Sequence, residues 1–262
     1  MTVASGRARR FPLRLDQVST VRAGHGESEP AGSSRAATPV GLGMDSDEFR
    51  HQMVRRLRDG GVSNPRVLDA MATIRRHDFL DPALAAQAYE DTSLPIGHGQ
   101  TISKPSVVAR MVELLYSGAG ARRRADLGRV LEIGTGCGYQ AAVLALLSSN
   151  VISIERVKPL HDRARELLTA VRRSHVRLVY GDGMLGHAPN APYDSIIAAA
   201  GGDSVPAAWI EQLAPFGRLV VPSRQPGRAG QVLVVVDKNE VDFQQTLYEA
   251  VNFVPLKSGV VA

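Results

Sequence analysis

Short apolar runs alternate with amphipathic segments over residues 126–262. The runs are rich in β-branched residues and predict strands at 130–133, 151–154, 176–180, 193–199 and 218–221. The segments between them have helical periodicity at 139–147, 157–171 and 206–213. Regular alternation of strand and helix predicts an α/β fold with a doubly wound, mostly parallel sheet.

The pattern changes near the end of the chain. Apolar runs at 231–236 and 241–254 follow each other without a helix between them, and the intervening residues 237–240 are polar and typical of a turn. We therefore expect a hairpin, which adds an antiparallel edge and brings the sheet to seven strands.

Helical patterns also precede the alternating region. The first begins at Asp45 and stops at Gly60-Gly61, and the second has Asn64 as a candidate cap and Pro65 at its first position. A third helix opens at Pro105, and a charged linker is expected at 121–126. These segments predict a small helical preface to the main domain.

Residues 89–105 are polar and interrupted by glycines, and their pattern predicts neither helix nor strand. A long irregular segment of this kind is typical of a functional loop. Thr101 and Ser103 stand just before the helix at Pro105, where hydroxyls and free N–H groups can meet an anion. Simple capping of that helix by Ser103 is the alternative.

The strand at 130–133 runs into three glycines at alternate positions, Gly134, Gly136 and Gly138. Such a loop turns sharply and lets a ligand approach the backbone. The dinucleotide fingerprint requires a further glycine where this chain has Tyr139, so nicotinamide chemistry is disfavoured. The E-x-G-x-G-x-G form, which begins at Glu132, resembles the S-adenosylmethionine loop of class I methyltransferases.

Acidic residues follow two further predicted strands. Glu155 lies about 20 residues beyond the glycine loop, where a carboxylate can hold ribose hydroxyls, although it could also cap the next helix. Asp182, in the turn with Gly183, could accept a hydrogen bond from an adenine amine, or could only shape the turn.

Composition narrows the class of protein. The net charge is +5, and three of the excess positive charges lie in residues 1–43, an arginine-rich extension that we expect to be disordered. Because the remainder is nearly neutral and poor in aromatics, nucleic-acid binding is a minor hypothesis. The single Cys137 excludes an internal disulfide, no metal-ligand spacing occurs, and no apolar run spans a membrane, so we expect a cytoplasmic protein without a metal.

Several motifs together resemble the protein-L-isoaspartate O-methyltransferase family. They are residues 91–97, 100–103, 131–139, 181–183 and 253–256. The resemblance runs from about residue 45 to 256 and implies a Rossmann-like methyltransferase domain over 44–262, with the preface and a substrate loop in 44–125 and the core in 126–262. The segment at 101–103 is more specific to this family than the glycine loop.

The resemblance implies a site as well as a fold. Ser103 matches the active-site serine, and Thr101, Ile102 and Ser103 would bind substrate. The residues that would bind S-adenosylmethionine are Gln100, Thr101, Glu132, Gly134, Gly136, Gly138, Glu155, Asp182 and Gly183. The implied reaction methylates L-isoaspartyl and D-aspartyl residues of damaged proteins, and we expect a monomer. A methyltransferase for small molecules or RNA, and a module that binds S-adenosylmethionine without turnover, are the alternatives.

Overall fold

A computed structural model describes residues 46–171, 175–227 and 229–262. The predicted extension at 1–43 lies outside these ranges. Residues 45–262 form one compact unit. Within the described ranges, none of the helices combines the length and apolar character needed to cross a lipid bilayer.

Seven strands form the main sheet of the unit, and two further strands, β1 (Leu94–Gly97) and β2 (Gln100–Ile102), form a separate hairpin. The strands of the main sheet are β3 (Arg129–Ile133), β4 (Asn150–Glu155), β5 (Val176–Tyr180), β6 (Tyr193–Ala198), β7 (Leu213–Arg224), β8 (Gln231–Lys238) and β9 (Phe243–Val251). They lie in the order β5-β4-β3-β6-β7-β8-β9. The first five strands in this order pair in parallel, whereas β8 and β9 pair antiparallel at one edge. This confirms the doubly wound fold with its antiparallel edge.

Helices cover both faces of this sheet. They are α1 (Ser46–Asp59), α2 (Pro65–Thr73), α3 (Pro105–Tyr116), α4 (Ala119–Arg124), α5 (Tyr139–Leu144), α6 (Lys158–Ala170) and α7 (Ala207–Gln212). Neighbouring strand residues enter different cores: Val130 packs with helices α2, α3 and α5 in one core, and Leu131 packs with Trp209 of α7 in the other. This is the alternation that a strand buried on both faces produces.

The helical preface begins as the sequence predicts. Asn64 Oδ1 accepts from the amides of Arg66 and Val67, and Pro65 occupies the first turn of α2. Glu113 of α3 accepts from the amides of Ser63 and Asn64 at 2.7 and 2.9 Å. Glu113 therefore attaches the start of α2 to α3, the helix that follows the predicted functional loop in the chain.

Two expectations about irregular segments were wrong. The loop at 89–105 contains an antiparallel hairpin, β1 (Leu94–Gly97) with β2 (Gln100–Ile102). Leu94 pairs with Ile102, and these two residues together with Ile96 are buried and attach the hairpin to the core. The charged linker at 121–126 is largely α4, whose last turn carries three arginines, a charge that favours a helix C-terminus.

Candidate active site

The glycine loop joins β3 to α5 at the carboxyl edge of the sheet. Gly134, Gly136 and Gly138 have φ angles of 89°, 56° and 90°, which residues with a Cβ rarely adopt. The amides of Gly134 and Thr135 donate to the carbonyl oxygen of Ile154 at 2.9 and 3.2 Å. The loop is thereby held against β4.

A cavity of about 470 Å³ opens in front of this loop, and we call it the loop cavity. The predicted site residues that line it are Gln100, Thr101, Ile102, Ser103, Gly134, Gly136, Glu155 and Gly183. Most of the predicted site is thus brought together, although its members come from four separate parts of the chain.

Other residues line the loop cavity without having been named as site residues from the sequence. Ile96 and His98 come from the β1–β2 hairpin, which the sequence pattern did not predict. Segment 253–256 contributes through residues 254–256, and it belongs to the quoted motifs without having been given a role. Ala199 and Ala200 follow a predicted strand, and the sequence already placed their loop over the ligand, because ligands gather at the carboxyl ends of strands in open α/β sheets.

Glu155 ends β4 inside the loop cavity, and its side chain is buried. Its Oε2 accepts from the amide of Gly136 at 2.9 Å, and its Oε1 accepts from the amide of Val157, just before α6, at 2.9 Å. The carboxylate therefore supports both the glycine loop and the start of α6. Its predicted contact with ribose is compatible with this position.

Glu132 occupies a different place from the one expected. It is fully buried and does not line the loop cavity, and it accepts from Gln140 Nε2 at 3.0 Å and from Ser153 Oγ at 2.5 Å. Ser153 Oγ also lies 2.6 Å from Thr135 Oγ1 in the loop. Burial raises the pKa of Glu132 to about 8. Glu132 thus supports the glycine loop from beneath, because β3 turns its side chain into the interior.

Gly138 also lies outside the lining of the loop cavity. A Cβ at this position would lie 3.2 Å from Leu168 Cδ1 of α6. Its lack of a side chain therefore serves the packing of the loop against α6.

Asp182 and Gly183 separate in the same way. Gly183 lines the loop cavity, whereas Asp182 does not. Asp182 Oδ1 accepts from the amide of Met184 at 2.9 Å, and its Oδ2 accepts from the amide of Gly259 at 2.6 Å. Both carboxylate oxygens thus have backbone partners, one of them in a segment 77 residues away in sequence.

A second cavity of about 880 Å³ adjoins the first, and we call it the outer cavity. Residues of α1, α3, β8 and β9 line it. The residues that line both cavities are Thr101, Ser103, Ala199 and Val254. The two predicted substrate hydroxyls therefore stand at the junction of the cavities.

Ser103 does not cap α3. The residue before the helix is Lys104, and Asp91 satisfies the first turn by accepting from the amide and the hydroxyl of Ser106, each at 2.8 Å. The Ser103 hydroxyl makes no hydrogen bond within the part of the chain that the structure describes. It is thus available to a ligand at the junction.

Positive charge predominates around the outer cavity. Arg56, Lys104 and Arg110 line it together with one carboxylate, that of Glu249. Arg110 Nε donates to Glu249 Oε1 at 2.8 Å, and this bond raises the pKa of Arg110 further. Lys104 lies 3.8 Å from Asp91 and Arg110 lies 3.5 Å from Glu113, so within the described residues Arg56 is the lining cation without a carboxylate partner, and it is available to an anionic ligand.

The loop cavity fits S-adenosylmethionine. Glycine suits a place where the backbone must lie close to a ligand, and Gly134 and Gly136 present backbone alone to the cavity. A carboxylate stands at the end of the second parallel strand of the fold, the place that suits ribose. Among the residues that the structure describes, no three His, Cys, Asp or Glu side chains cluster as metal ligands. The strand order, the glycine loop and this cavity define a class I S-adenosylmethionine-dependent methyltransferase.

Comparison with known proteins identifies the family. The model of the family described as protein-L-isoaspartate(D-aspartate) O-methyltransferase (PCMT) matches residues 48–261. A protein-L-isoaspartate O-methyltransferase of Methylibium petroleiphilum is 54% identical over 274 residues, which cover 99% of each protein. Another, of Leptothrix cholodnii, is 61% identical over 228 residues, which cover 87% of this chain and 80% of that protein. The chain belongs to the protein-L-isoaspartate O-methyltransferase family.

Solved structures show the same fold. A protein-L-isoaspartate O-methyltransferase aligns with a TM-score of 0.70 at 27% identity, covering 80% of this chain and 67% of that one. A putative Plasmodium falciparum member, solved with S-adenosyl-L-homocysteine, aligns with a TM-score of 0.66 at 22% identity, covering 79% and 98%.

Proposed function

We propose that this protein transfers the methyl group of S-adenosylmethionine to the free α-carboxylate of L-isoaspartyl residues, and of D-aspartyl residues, in damaged proteins. The junction of the two cavities at Thr101 and Ser103 carries this proposal. A transfer between two bound reactants needs a separate cavity for each and a shared wall where the reacting atoms meet. Membership of the family supplies the identity of the reactants.

The loop cavity would hold the cofactor through the backbone of Gly134, Gly136 and Gly183 and the side chains of Gln100 and Glu155. S-adenosylmethionine supplies an electrophilic methyl group on a sulfonium sulfur. The acceptor carboxylate is already ionised at neutral pH, so the chain needs no strong base. The task of its residues is to position the carboxylate and to exclude water.

Ser103 is the residue best placed to position the carboxylate. Its hydroxyl has no partner within the described residues and stands at the wall common to both cavities. A hydroxyl donates well to a carboxylate, and such a bond fixes the direction from which the oxygen approaches. Thr101, on the same wall, provides a second hydroxyl, and Ile102 anchors the hairpin in the core.

The outer cavity suits a peptide substrate. Its volume of about 880 Å³ exceeds that of the loop cavity, and Arg56 in its wall attracts a carboxylate. We propose that the enzyme works as a monomer, and the lining of both cavities by described residues of one chain is compatible with this. We place it in the cytoplasm, acting on damaged proteins and not on nucleic acid; the lone Cys137 accords with a reducing compartment.

Two peptides of identical composition test the proposal. One contains L-isoaspartate and the other normal L-aspartate, and only the first should accept a methyl group. The peptides carry the same charge, but in the isoaspartyl form the free carboxylate is attached directly to Cα. A misplacement of about 1 Å can reduce a rate by roughly 10²-fold, so the junction can discriminate between them. Methyl release is measured with radiolabelled cofactor.

Ser103→Ala tests the residue at the junction. We expect kcat on the isoaspartyl peptide to fall while the affinity for cofactor changes little, because the lost bond is to the reacting carboxylate. Ser93→Ala is the matched control, since Ser93 lines only the outer cavity, and its kcat should change less.

Other results would favour the alternatives. Equal methylation of both peptides, or methylation of RNA or a metabolite only, would indicate a different methyltransferase. Binding of S-adenosylmethionine without turnover on any of these substrates would indicate a binding module.

A further inference from the structure

Residues 255–261 run along the loop cavity, which four of them line, and we call them the strap. At its start, Pro255 forms a parallel bridge with Gly201, and the amide of Leu256 donates to the carbonyl of Gly201 at 2.9 Å. Leu256 packs against the core that contains Leu131 and Trp209. The strap thus begins at the loop after β6.

The far end of the strap is attached to the start of α6. The amide of Val261 donates to the carbonyl of Arg156 at 2.7 Å, and the amide of Lys158 donates to the carbonyl of Val261 at 2.8 Å. Between these ends, Arg156 Nε donates to the carbonyl of Gly259 at 2.8 Å, and its Nη2 donates to that of Ser258 at 3.1 Å.

The course of the strap takes it past the glycine loop. Its two ends are fixed at the loops after β6 and β4, and in the sheet these two strands flank β3, which leads into the glycine loop. The strap residues that line the loop cavity are Pro255, Leu256, Lys257 and Val261. The strap is therefore one wall of that cavity.

Polar contacts, and not burial, fix most of the strap. Every residue from 257 to 262 is exposed, so this part gains little from apolar packing. Its position then depends on hydrogen bonds from outside the strap. Asp182 and Arg156 supply all the side-chain hydrogen bonds to it within the described residues, and Asp182 reaches the amide of Gly259 at 2.6 Å.

We propose that Asp182 and Arg156 are positioning residues that hold the strap across the loop cavity, so that the strap retains the bound nucleoside and limits the entry of water. This rests on the proposed function of the cavity. Asp182 then acts on the cofactor through Gly259, because both of its oxygens already accept backbone amides and its side chain does not line the cavity. Arg156 does line the cavity, so the double variant separates its hold on the strap from a direct contact with the ligand. A closed wall strengthens the polar contacts inside the site.

The first test measures the strap itself, without any ligand. Amide hydrogen exchange is followed on the full chain for wild type, Asp182→Asn and Arg156→Ala. Asparagine offers one acceptor where aspartate offers two, so we expect exchange in 256–261 to quicken on the order of tenfold in each variant. Exchange in strands β3 and β4 should stay as in wild type, which establishes that the variants fold.

Asp81→Asn is the matched control. Asp81 Oδ1 accepts from the amide of Ala83 at 2.9 Å before a short 3₁₀ helix, as Asp182 Oδ1 does from Met184 before another. Within the described residues, none of the hydrogen bonds of the Asp81 side chain reaches the strap. Its substitution should therefore leave exchange in 256–261 unchanged.

The second test measures retention of a ligand. The dissociation rate of S-adenosylhomocysteine should rise about tenfold in Asp182→Asn and in Arg156→Ala. Because both residues act through one strap, the double variant should release the ligand more slowly than the product of the two factors predicts. Neither measurement needs a methyl acceptor, so both can succeed even if the isoaspartyl peptide proves not to be the substrate.

Three results would overturn the proposal. Unchanged exchange of the strap in Asp182→Asn would show that Asp182 does not hold it. A looser strap with unchanged ligand release would show that the strap retains nothing. Effects on release that multiply in the double variant would indicate that the two residues act independently, as direct contacts with the ligand would.

Discussion

Glu132, the first residue of the glycine motif, is buried and does not line the loop cavity. Glu132 was expected to bind the cofactor, yet it lies beneath the loop with Gln140 and Ser153 as its partners. Burial, followed by the nearby charge of Glu155, raises the pKa of Glu132 to about 8, while bonds from Ser153 and Gln140 oppose the shift. Because the Ser153 hydroxyl donates to Glu132, it accepts from the Thr135 hydroxyl of the loop, and this chain of bonds joins the buried carboxyl to the loop.

This raised pKa predicts a pH-dependent stability. The unfolded chain loses the proton near pH 4.5, whereas the folded chain keeps it up to about pH 8. Between these values the unfolded state binds fewer protons, so the contribution of Glu132 to the free energy of unfolding falls as the pH rises. Glu132→Gln keeps the neutral shape and has no proton to lose. We expect its advantage over wild type to grow between pH 5 and 8 by an amount on the order of a few kcal/mol.

Denaturant unfolding of both proteins at several pH values measures this difference. Subtracting wild type from variant removes the titration of all other groups that the two proteins share. A difference that stays constant from pH 5 to 8 would mean that Glu132 is ionised throughout, and would contradict the role assigned to its burial.

For single residues, the sequence indicated the position in the site where the residue type has only one suitable role at that place. Gly134 and Gly136 line the loop cavity, as their spacing predicts, and Glu155 stands beside them at the end of β4. It did not show where the side chains of Glu132 and Asp182 lie, because a carboxylate in or after a strand can turn inward or toward a neighbouring segment. The partner of Asp182 lies 77 residues away, and no local pattern reveals it.

At the scale of elements, the glycine loop depends on its contact with α6. Gly138→Ala introduces a Cβ at φ 90° and 3.2 Å from Leu168 Cδ1. The unfavourable φ costs on the order of 1 kcal/mol, and the crowding adds about 1–3 kcal/mol. Gly61→Ala is the control, because Gly61 has φ 99° and no atom within 4 Å of the added Cβ. Chemical denaturation should show the larger loss for Gly138→Ala; equal losses would remove the packing role of Gly138.

The number of buried apolar residues in each element explains which elements could be predicted from the sequence. The central parallel strands β3, β4 and β6 were predicted because each carries a mainly apolar run that is buried on both faces. The β1–β2 hairpin was missed, since Leu94 and Ile102 pair across only seven intervening residues, of which Ile96 is the sole other buried anchor. Helix α4 was missed for a related reason: Ala121 is the single apolar side chain that it buries.

At the scale of the whole molecule, chemistry is concentrated where the strand ends meet. The general rule that ligands bind at the carboxyl ends of parallel strands placed the loop cavity correctly. The outer cavity was not predicted as a cavity. Its walls come from α1, α3 and β9, and the proximity of these elements follows from tertiary packing, which sequence periodicity does not describe.

The arrangement predicts that residues 1–44 are dispensable for the methyltransferase unit. The compact unit begins at Asp45, and among the described residues those that line the two cavities lie at position 56 or beyond. The extension also lacks the apolar periodicity needed to contribute to a core. We expect a chain that starts at Asp45 to melt within about 3 °C of the full chain, which corresponds to roughly 1 kcal/mol for a domain of this size.

A longer deletion supplies the contrast. A chain that starts at Gly60 also loses α1, which buries Met53, Val54 and Leu57 against the other preface helices and forms part of the outer cavity. Losing three buried apolar side chains should cost several kcal/mol and lower turnover. Thermal unfolding and methyl transfer to the isoaspartyl peptide are measured for both shortened chains. A large drop in Tm for the chain that starts at Asp45 would show that the extension packs on the folded unit, and a loss of turnover with unchanged Tm would show that it contributes to the reaction.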